Sequence, residues 1–394
     1  MAGTRGRLAV IGLGANGLGA ALAAATRGFQ VTGYEQFDLD NQPASSGGRG
    51  KIIRFGYDDP FYSEMMRTTT MATWQSLAAR TGRSLMVRHG GLHIGGPEEM
   101  AVVAAGIAGA GQPLEEVRAG ATRLRDFGIT LREGEPAVYE PAAGVMWTSE
   151  VRGALADEAR RAGAKLREHT EVTGVEPVAD GFSVTANGRV ETYQRLIVAG
   201  GPWAFRLAPL AAGAFSISRR FQLVWATEAP LGDGCPRPWM DHAGIGYYGM
   251  INIGRDGDSY IHLAGLHQHD KEQQVTDPGE PDDPATRAES VEHAVGVVTA
   301  RFGLAGRPRI IDVRACHYTS TASHDFVVDE CPGLPGAVLL SACSGHGFKF
   351  TVTMGEYAAA LAAGEDIPHR QRFRMPPTSG VEQDLRARVG GTLG

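Results

Sequence analysis

The stretch from Leu8 to Glu35 constrains this chain more than any other part of it. Leu8-Ala9-Val10-Ile11 is a short apolar run that predicts a strand, and Gly12-Leu13-Gly14-Ala15-Asn16-Gly17 carries the G-x-G-x-x-G spacing. Leu18 to Ala25 follow as a small-residue helical pattern, and Val31 to Tyr34 form a second apolar run that ends on Glu35, 18 residues after Gly17. Gly12 makes the tight turn, Gly14 lets backbone approach a pyrophosphate, and Gly17 lets helix close on strand. The helix N-terminus then faces the phosphates, and Glu35 is placed to hydrogen-bond a ribose hydroxyl. A bare G-x-G-x-x-G means little in a chain with 54 glycines, and a ligand-free turn is the plain alternative. The flanking strands and the acid favour a dinucleotide, with NAD and FAD both open.

At 394 residues the chain is long enough for two to three domains. Lys and Arg number 38 against 44 Asp and Glu, a net charge of -6. Nothing in that balance points to nucleic acid or an anionic membrane surface. Four cysteines, at 235, 316, 331 and 343, include no C-x-x-C pair, which argues against a disulfide scaffold or a zinc site and for a reducing compartment. No apolar run reaches the ~18 residues of a membrane span, so a cytoplasmic protein is expected.

Further along, Ser45-Ser46-Gly47-Gly48-Arg49-Gly50 is a loop able to lie close to a ligand, and it leads into Lys51-Ile52-Ile53-Arg54. Phe61 to Thr81 predicts a helix, Leu85 to Ile94 a hairpin through Gly90-Gly91, and Glu98 to Gly106 and Leu114 to Phe127 two helices. Leu196-Ile197-Val198-Ala199-Gly200-Gly201 repeats the strand-into-glycine theme, as expected of a dinucleotide fold that takes a long insertion and returns to finish its sheet. Phe215 to Leu263 reads mostly as strand and contains Tyr247-Tyr248. Ile310 to Tyr318 is a strand holding Cys316-His317-Tyr318, and Val338 to Ser341 runs into Ser344-Gly345-His346-Gly347-Phe348-Lys349-Phe350 ahead of a helix over Thr351 to Ala363.

The N-terminal fingerprint, Lys51-Ile52-Ile53-Arg54, Cys316-His317-Tyr318 and the 344–350 heptad, in that order, closely resemble the monomeric sarcosine oxidase and N-methyltryptophan oxidase family, flavoproteins of the D-amino-acid-oxidase type. The likeness covers nearly the whole chain. It implies FAD rather than NAD, with Cys316 as the residue whose sulfur bonds the 8α carbon of the flavin. From the residues alone, a lone Cys on an apolar strand reads as buried core, and Cys343 is the nearest competitor. The resemblance further implies that Arg54 and Lys349 hold a substrate carboxylate, which wants an Arg fork or paired cations away from water. Tyr248 and Tyr318 match positions lining the substrate cavity, where an aromatic face can hold an ammonium or N-methyl group. Gly345, Gly347 and Phe348 lie at a helix start suited to negative charge on the reduced flavin.

Three positions depart from the family. Lys51 stands beside the flavin where an Arg is usual, keeping the charge and losing the fork. Ser46-Gly47 replaces a usual His pair, implying a larger or less polar cavity. His262 aligns with a Lys that speeds the reaction with oxygen, and His is cationic only if burial does not depress its pKa.

The expected fold is α/β: a Rossmann-like FAD-binding domain over 1–84, 145–214 and 311–394, and an α+β substrate domain with a mostly antiparallel sheet over 85–144 and 215–310. Cofactor contacts are expected from Gly12, Gly14, Gly17, Glu35, Ser45, Lys51, Cys316, Gly345, Gly347, Phe348 and Lys349. Catalytic or substrate contacts are expected from Lys51, Arg54, Tyr248, His262, Tyr318 and Lys349, with no metal. The implied reaction oxidises an N-methyl, secondary or cyclic amine of an amino acid to an imine and reduces O2 to H2O2, in a monomer. A flavin dehydrogenase with another acceptor, an NAD-dependent dehydrogenase and a non-catalytic FAD-binding subunit are the rival readings.

Overall fold

The computed structural model describes residues 5–243, 246–266 and 273–377. Its first layer is a six-stranded sheet in the order Val327–Glu330, Val338–Ser341, Arg195–Val198, Arg7–Ile11, Gln30–Tyr34, Lys165–Arg167. Every neighbouring pair is parallel except the Val327–Glu330 edge. The inner strands are nearly unbroken apolar runs, as strands covered on both faces must be. Because they run parallel, Gly12, Glu35, Ala199 and Ala342 all emerge at one edge, where ligands of open α/β sheets bind.

Glycine chemistry makes that edge. Gly12 has a φ of +85°, and a Cβ there would lie 2.7 Å from the Ala199 carbonyl oxygen. A Cβ on Gly17 would collide with the Gly12 carbonyl oxygen, so the Ala15–Thr26 helix approaches its strand only because that side chain is missing. On the same face of the sheet, Gly19 and Gly355 let this helix and the Thr351–Ala362 helix touch backbone to backbone. The two helices therefore begin side by side.

The second layer is a ten-stranded, mostly antiparallel sheet. Its long Ser216–Thr227 strand pairs with Ser259–Leu266 and with Arg309–Ser320, and further strands come from Tyr247–Ile251, Arg237–Asp241, Gly91–Ile94, Ala137–Glu140 and Glu115–Val117. One face, with Leu223, Trp225 and Ala264, packs on the Pro284–Phe302 helix. Arg220, Gln222, Cys316 and Tyr318 lie on the other face, as the cross-strand pairs Arg220–Cys316 and Ser218–Tyr318 require. A small sheet of Gly50–Ile53, Gly144–Trp147 and Met86–Val87 carries Lys51.

Four sequence expectations change. Leu85 to Ile94 is no hairpin: Met86–Val87 pairs with Gly144–Trp147, whereas Gly91–Ile94 joins the large sheet through Ala137–Glu140 and Arg237–Asp241. Leu114 to Phe127 is not one helix but a strand, Glu115–Val117, and a short helix, Arg123–Phe127, separated by Gly120 in a left-handed conformation. The Phe61 to Thr81 helix is observed as Pro60–Met65 and Met71–Thr81 joined through one π turn at Met66–Thr70. Finally, the strand carrying Cys316, expected with the FAD-binding segment, runs to Ser320 and pairs within the antiparallel sheet. The expected C-terminal end of the FAD-binding segment, 378–394, lies outside the described residues. Among the described residues no helix is long and apolar enough to cross a membrane, and no cluster of His, Cys, Asp and Glu is arranged to hold a metal.

Candidate active site

One continuous cleft begins at the glycine edge of the parallel sheet and ends beneath the antiparallel sheet. At its first end it is lined by Gly12, Gly14, Asn16, Glu35, Ser45 and Ser46. The Ala15–Thr26 helix starts here with no side-chain cap and no acidic residue in its first turn, leaving its positive end for an anion. The Ser46 hydroxyl accepts from the Ala15 amide at 3.2 Å. Glu35 is buried, and burial raises its carboxyl pKa; its oxygens accept from the Leu13 amide at 2.8 Å and the Phe37 amide at 3.1 Å. The acid thus pins the glycine turn and still lines the cleft. The buried Ser45 hydroxyl has no hydrogen-bond partner among the described residues. An orphan hydroxyl beside an uncapped helix start is what a phosphate-bearing group would satisfy, so the residues fit FAD. Gly17 itself is behind the wall.

Asn16, the variable position inside the fingerprint, links the two glycine turns. Its Nδ2 donates to the Ala342 carbonyl at 2.8 Å, and its Oδ1 accepts from the Thr351 hydroxyl at 3.1 Å. The second turn, with Gly345, Gly347, Phe348 and Lys349, is thereby held against the first, and all four residues line the cleft.

At the far end the cleft is lined by Lys51, Arg54, Met240, Tyr248, Tyr318 and Lys349. Lys349 is 5% exposed, and its ammonium donates to the Tyr57 hydroxyl at 2.8 Å and the His346 carbonyl at 3.1 Å. Burial, then the Arg54 charge, push its pKa down, while Glu140 pulls it up. The Arg54 guanidinium lies over the Tyr57 ring, 4.3 Å from the centroid, and donates to the Gly56 carbonyl. Tyr57 thus braces both cations. The Lys51 pKa is lowered to about 8, first by burial and then by Arg314.

Tyr248 and Tyr318 share a hydrogen bond, and the orientation of Tyr248 is set from behind. Arg314 donates to Gln222 Oε1 at 3.2 Å, and a guanidinium accepts nothing, so the amide is fixed with Nε2 donating to the Tyr248 hydroxyl at 2.5 Å. The Arg220 guanidinium covers the Tyr318 ring at 4.1 Å. Arg314 also reaches the Gln42 and Ala44 carbonyls, occupying the space that a Cβ on Gly47 or Gly48 would need. Sequence reading missed Asn16, Arg220, Gln222 and Arg314. The alternation of Arg220 and Gln222 on one strand was the available signal, but it does not say which face looks at the cleft.

Besides Gly17, two expected residues do not reach the cleft. Cys316 is 1% exposed and does not line it, whereas Cys343 does. Burial raises the Cys316 thiol pKa, and Lys51, Arg314 and Arg220 oppose that rise. His262 is a correction. Its cross-strand partner is Trp225, so it points to the sheet face that packs on the long helix, away from Cys316 and Tyr318. It is fully buried against the Trp225 ring at 4.5 Å. Nδ1 accepts from the Asn252 amide at 3.0 Å, which leaves Nε2–H to donate to the Thr227 hydroxyl at 2.8 Å. Burial lowers its pKa to about 3, so it is neutral and supplies no charge to the cleft.

With that geometry established, comparison with known proteins gives the class. Residues 7–361 match the family described as FAD dependent oxidoreductase. The chain belongs to that family, in its sarcosine oxidase and N-methyltryptophan oxidase group, and is a flavin-dependent amine oxidase by that membership. It is 30% identical to monomeric sarcosine oxidase of Streptomyces avermitilis over 387 residues, 91% of this chain and 94% of that protein. It is 24% identical to N-methyl-L-tryptophan oxidase of Yersinia pestis, over 92% and 96% of the two chains. Among solved structures it is similar to NikD, an amino acid oxidase of nikkomycin biosynthesis, with a TM-score of 0.82 at 21% identity over 94% and 97% of the chains. L-proline dehydrogenase from P. horikoshii has a TM-score of 0.78 at 18% identity over 98% and 99%. At those identities the two structures speak for the fold alone.

Proposed function

We propose that this protein oxidises the C–N bond of an N-methyl, secondary or cyclic amino acid to an imine, with O2 as acceptor and H2O2 as product, acting as a cytoplasmic monomer. The observation that carries the reading is the single cleft joining an uncapped, glycine-lined helix start to a paired-cation end roofed by two tyrosines. Bound FAD supplies a two-electron acceptor for the C–H next to the amine. The adenosine and pyrophosphate half would be held by Gly12, Gly14, Ser45 and Glu35, and the ring half by Lys51 and the 345–349 turn.

The chain's own residues bind and orient. Arg54 and Lys349 would hold the substrate carboxylate through charge-assisted hydrogen bonds in a site largely shielded from water. The Tyr248 and Tyr318 faces would take the N-alkyl end. Among the described residues no Asp or Glu lines this end of the cleft, so the substrate amine would arrive neutral rather than be deprotonated by a buried carboxylate. Cys316 would anchor the flavin covalently; its nearness to Lys51, Arg220 and Arg314 supports this, because those cations favour a thiolate.

The neutral His262 on the far face favours one second reading, a dehydrogenase that passes electrons to an acceptor other than O2. Peroxide release in air, measured across sarcosine, N-methyl amino acids, proline-like imino acids and primary amino acids, separates the two. The oxidase reading expects peroxide equal to substrate consumed. Substrate turnover only with an artificial acceptor, without peroxide, selects the dehydrogenase.

A further inference from the structure

Behind the paired cations, outside the cleft, lies a chain of three polar side chains, two of them buried, that the proposed chemistry does not use. Glu140 and His93 are both fully buried, and His93 Nε2 lies 3.0 Å from Glu140 Oε2. His93 Nδ1 lies 3.1 Å from Nε2 of His242, and the two rings are stacked 5.4 Å apart. The remaining capacity of Glu140 goes to backbone: Oε1 accepts from the Phe55 amide at 2.5 Å and Oε2 from the Gly56 amide at 3.1 Å. An acceptor-only carboxylate requires the His93 proton on Nε2, so Nδ1 is the acceptor and His242 donates. Burial lowers the His93 pKa, which is consistent with a neutral ring.

Three polar groups in an otherwise dry sheet are costly unless all are satisfied, and here the satisfied array ends on one particular segment. Phe55 and Gly56 follow Arg54 directly. The Gly56 carbonyl accepts from the Arg54 guanidinium, and Tyr57, next in the chain, carries the Arg54 stack and the Lys349 hydrogen bond. The His93 ring also fills the space where a Gly56 side chain would be, 3.1 Å from a Cβ built there. Glu140 is thus a negative charge that acts on Lys349 from outside the cleft. We propose that Glu140, oriented by the His93–His242 pair, is a positioning residue and the resident counter-charge of the Arg54–Lys349 site, holding the 54–57 segment and keeping Lys349 protonated before a carboxylate arrives.

The inference rests on the carboxylate reading of Arg54 and Lys349. The groups acting on Lys349 are Arg54 and Lys51, which disfavour its proton, Glu140, which favours it, and the Tyr57 hydroxyl and His346 carbonyl, which accept from it. Removing Glu140 leaves two repelling cations and no opposing charge, so Lys349 would lose its proton at lower pH.

The test titrates benzoate into the flavin-loaded protein, following flavin absorbance from pH 6 to 10, in wild type, Glu140→Gln and His93→Leu; the second variant serves if the first does not fold. The wild type is expected to bind benzoate and to lose it as pH rises. Glu140→Gln is expected to bind within about threefold of wild type at pH 6 and at least tenfold more weakly at pH 9, because the pH of loss has moved down; His93→Leu, which keeps the charge and loses its orienter, is expected to shift the same way by a smaller step. A uniform loss at every pH, as a merely structural role would give, or curves that superimpose on wild type, would overturn the counter-charge. A wild type that binds no benzoate at any pH would instead remove the carboxylate reading on which the inference stands.

Discussion

Replacing Arg54 by alanine probes the substrate end of the cleft with the fewest side effects. Its guanidinium spends one nitrogen on the Gly56 carbonyl and one face on the Tyr57 ring, leaving its remaining donors for a ligand. A charge-assisted hydrogen bond is worth about 1.5–3 kcal/mol, and about 1.4 kcal/mol corresponds to a factor of ten. Arg54→Ala should therefore raise KM for an amino-acid substrate by about 10- to 150-fold, toward the lower half because the residue is only half buried. The lost contact is made equally in ground and transition states, so kcat should change by less than about fivefold. Arg54→Lys keeps the charge without the fork and should recover part of the loss. The assay is steady-state substrate turnover, comparing a substrate with its methyl ester. The ester should show little difference between wild type and variant. A KM within twofold of wild type for the free acid, or an equal loss for acid and ester, would place the carboxylate elsewhere and refute the reasoning.

Other expectations follow from the same geometry. Acid-precipitated protein run on a denaturing gel should show flavin fluorescence in wild type and Cys343→Ala but none in Cys316→Ala; a fluorescent Cys316→Ala band would move the attachment to Cys343, which lines the cleft. His262→Leu should leave the flavin reoxidation rate within twofold while lowering stability by about 1–3 kcal/mol, because it strands the buried Asn252 amide. A tenfold slower reoxidation with unchanged stability would return that histidine to the flavin. Lys51 has a folded pKa lowered to about 8. Between that pH and its ordinary value of ~10.4 the unfolded chain holds a proton the native state has released, so this group makes stability rise with pH across that window. Denaturation profiles of wild type and Lys51→Met should diverge there, with the variant lacking the rise; parallel profiles would mean Lys51 titrates normally.

The fold was legible where local chemistry leaves one solution. The apolar runs ending on Gly12, Glu35 and Ala199, and the heptad after Ser341, are found at one edge of one parallel sheet, because each run is buried on both faces and each glycine is needed where it stands. Strand partners across long separations were not legible. Met86–Val87 and Gly91–Ile94 look like two arms of a hairpin, yet they pair with strands beyond residue 136, and nothing local reports that choice. Sidedness caused the largest error in the site. His262 fills the family's lysine position by alignment, but the strand is buried on both faces, so its pattern gives no register, and Trp225 and Thr227 hold it on the far side. Arg220, Gln222 and Arg314 were hidden for the same reason. They matter through cross-strand neighbours that the sequence separates by nearly 100 positions.

The most direct test of the account is the flavin spectrum under anaerobic conditions, with an N-methyl amino acid compared against the same amine lacking its carboxylate. Bleaching by the amino acid at concentrations where the bare amine leaves the spectrum unchanged, and return of the oxidised spectrum with one peroxide per flavin on admitting air, is the predicted result. Equal bleaching by both compounds, or reduction by a nicotinamide nucleotide and by neither amine, would contradict it.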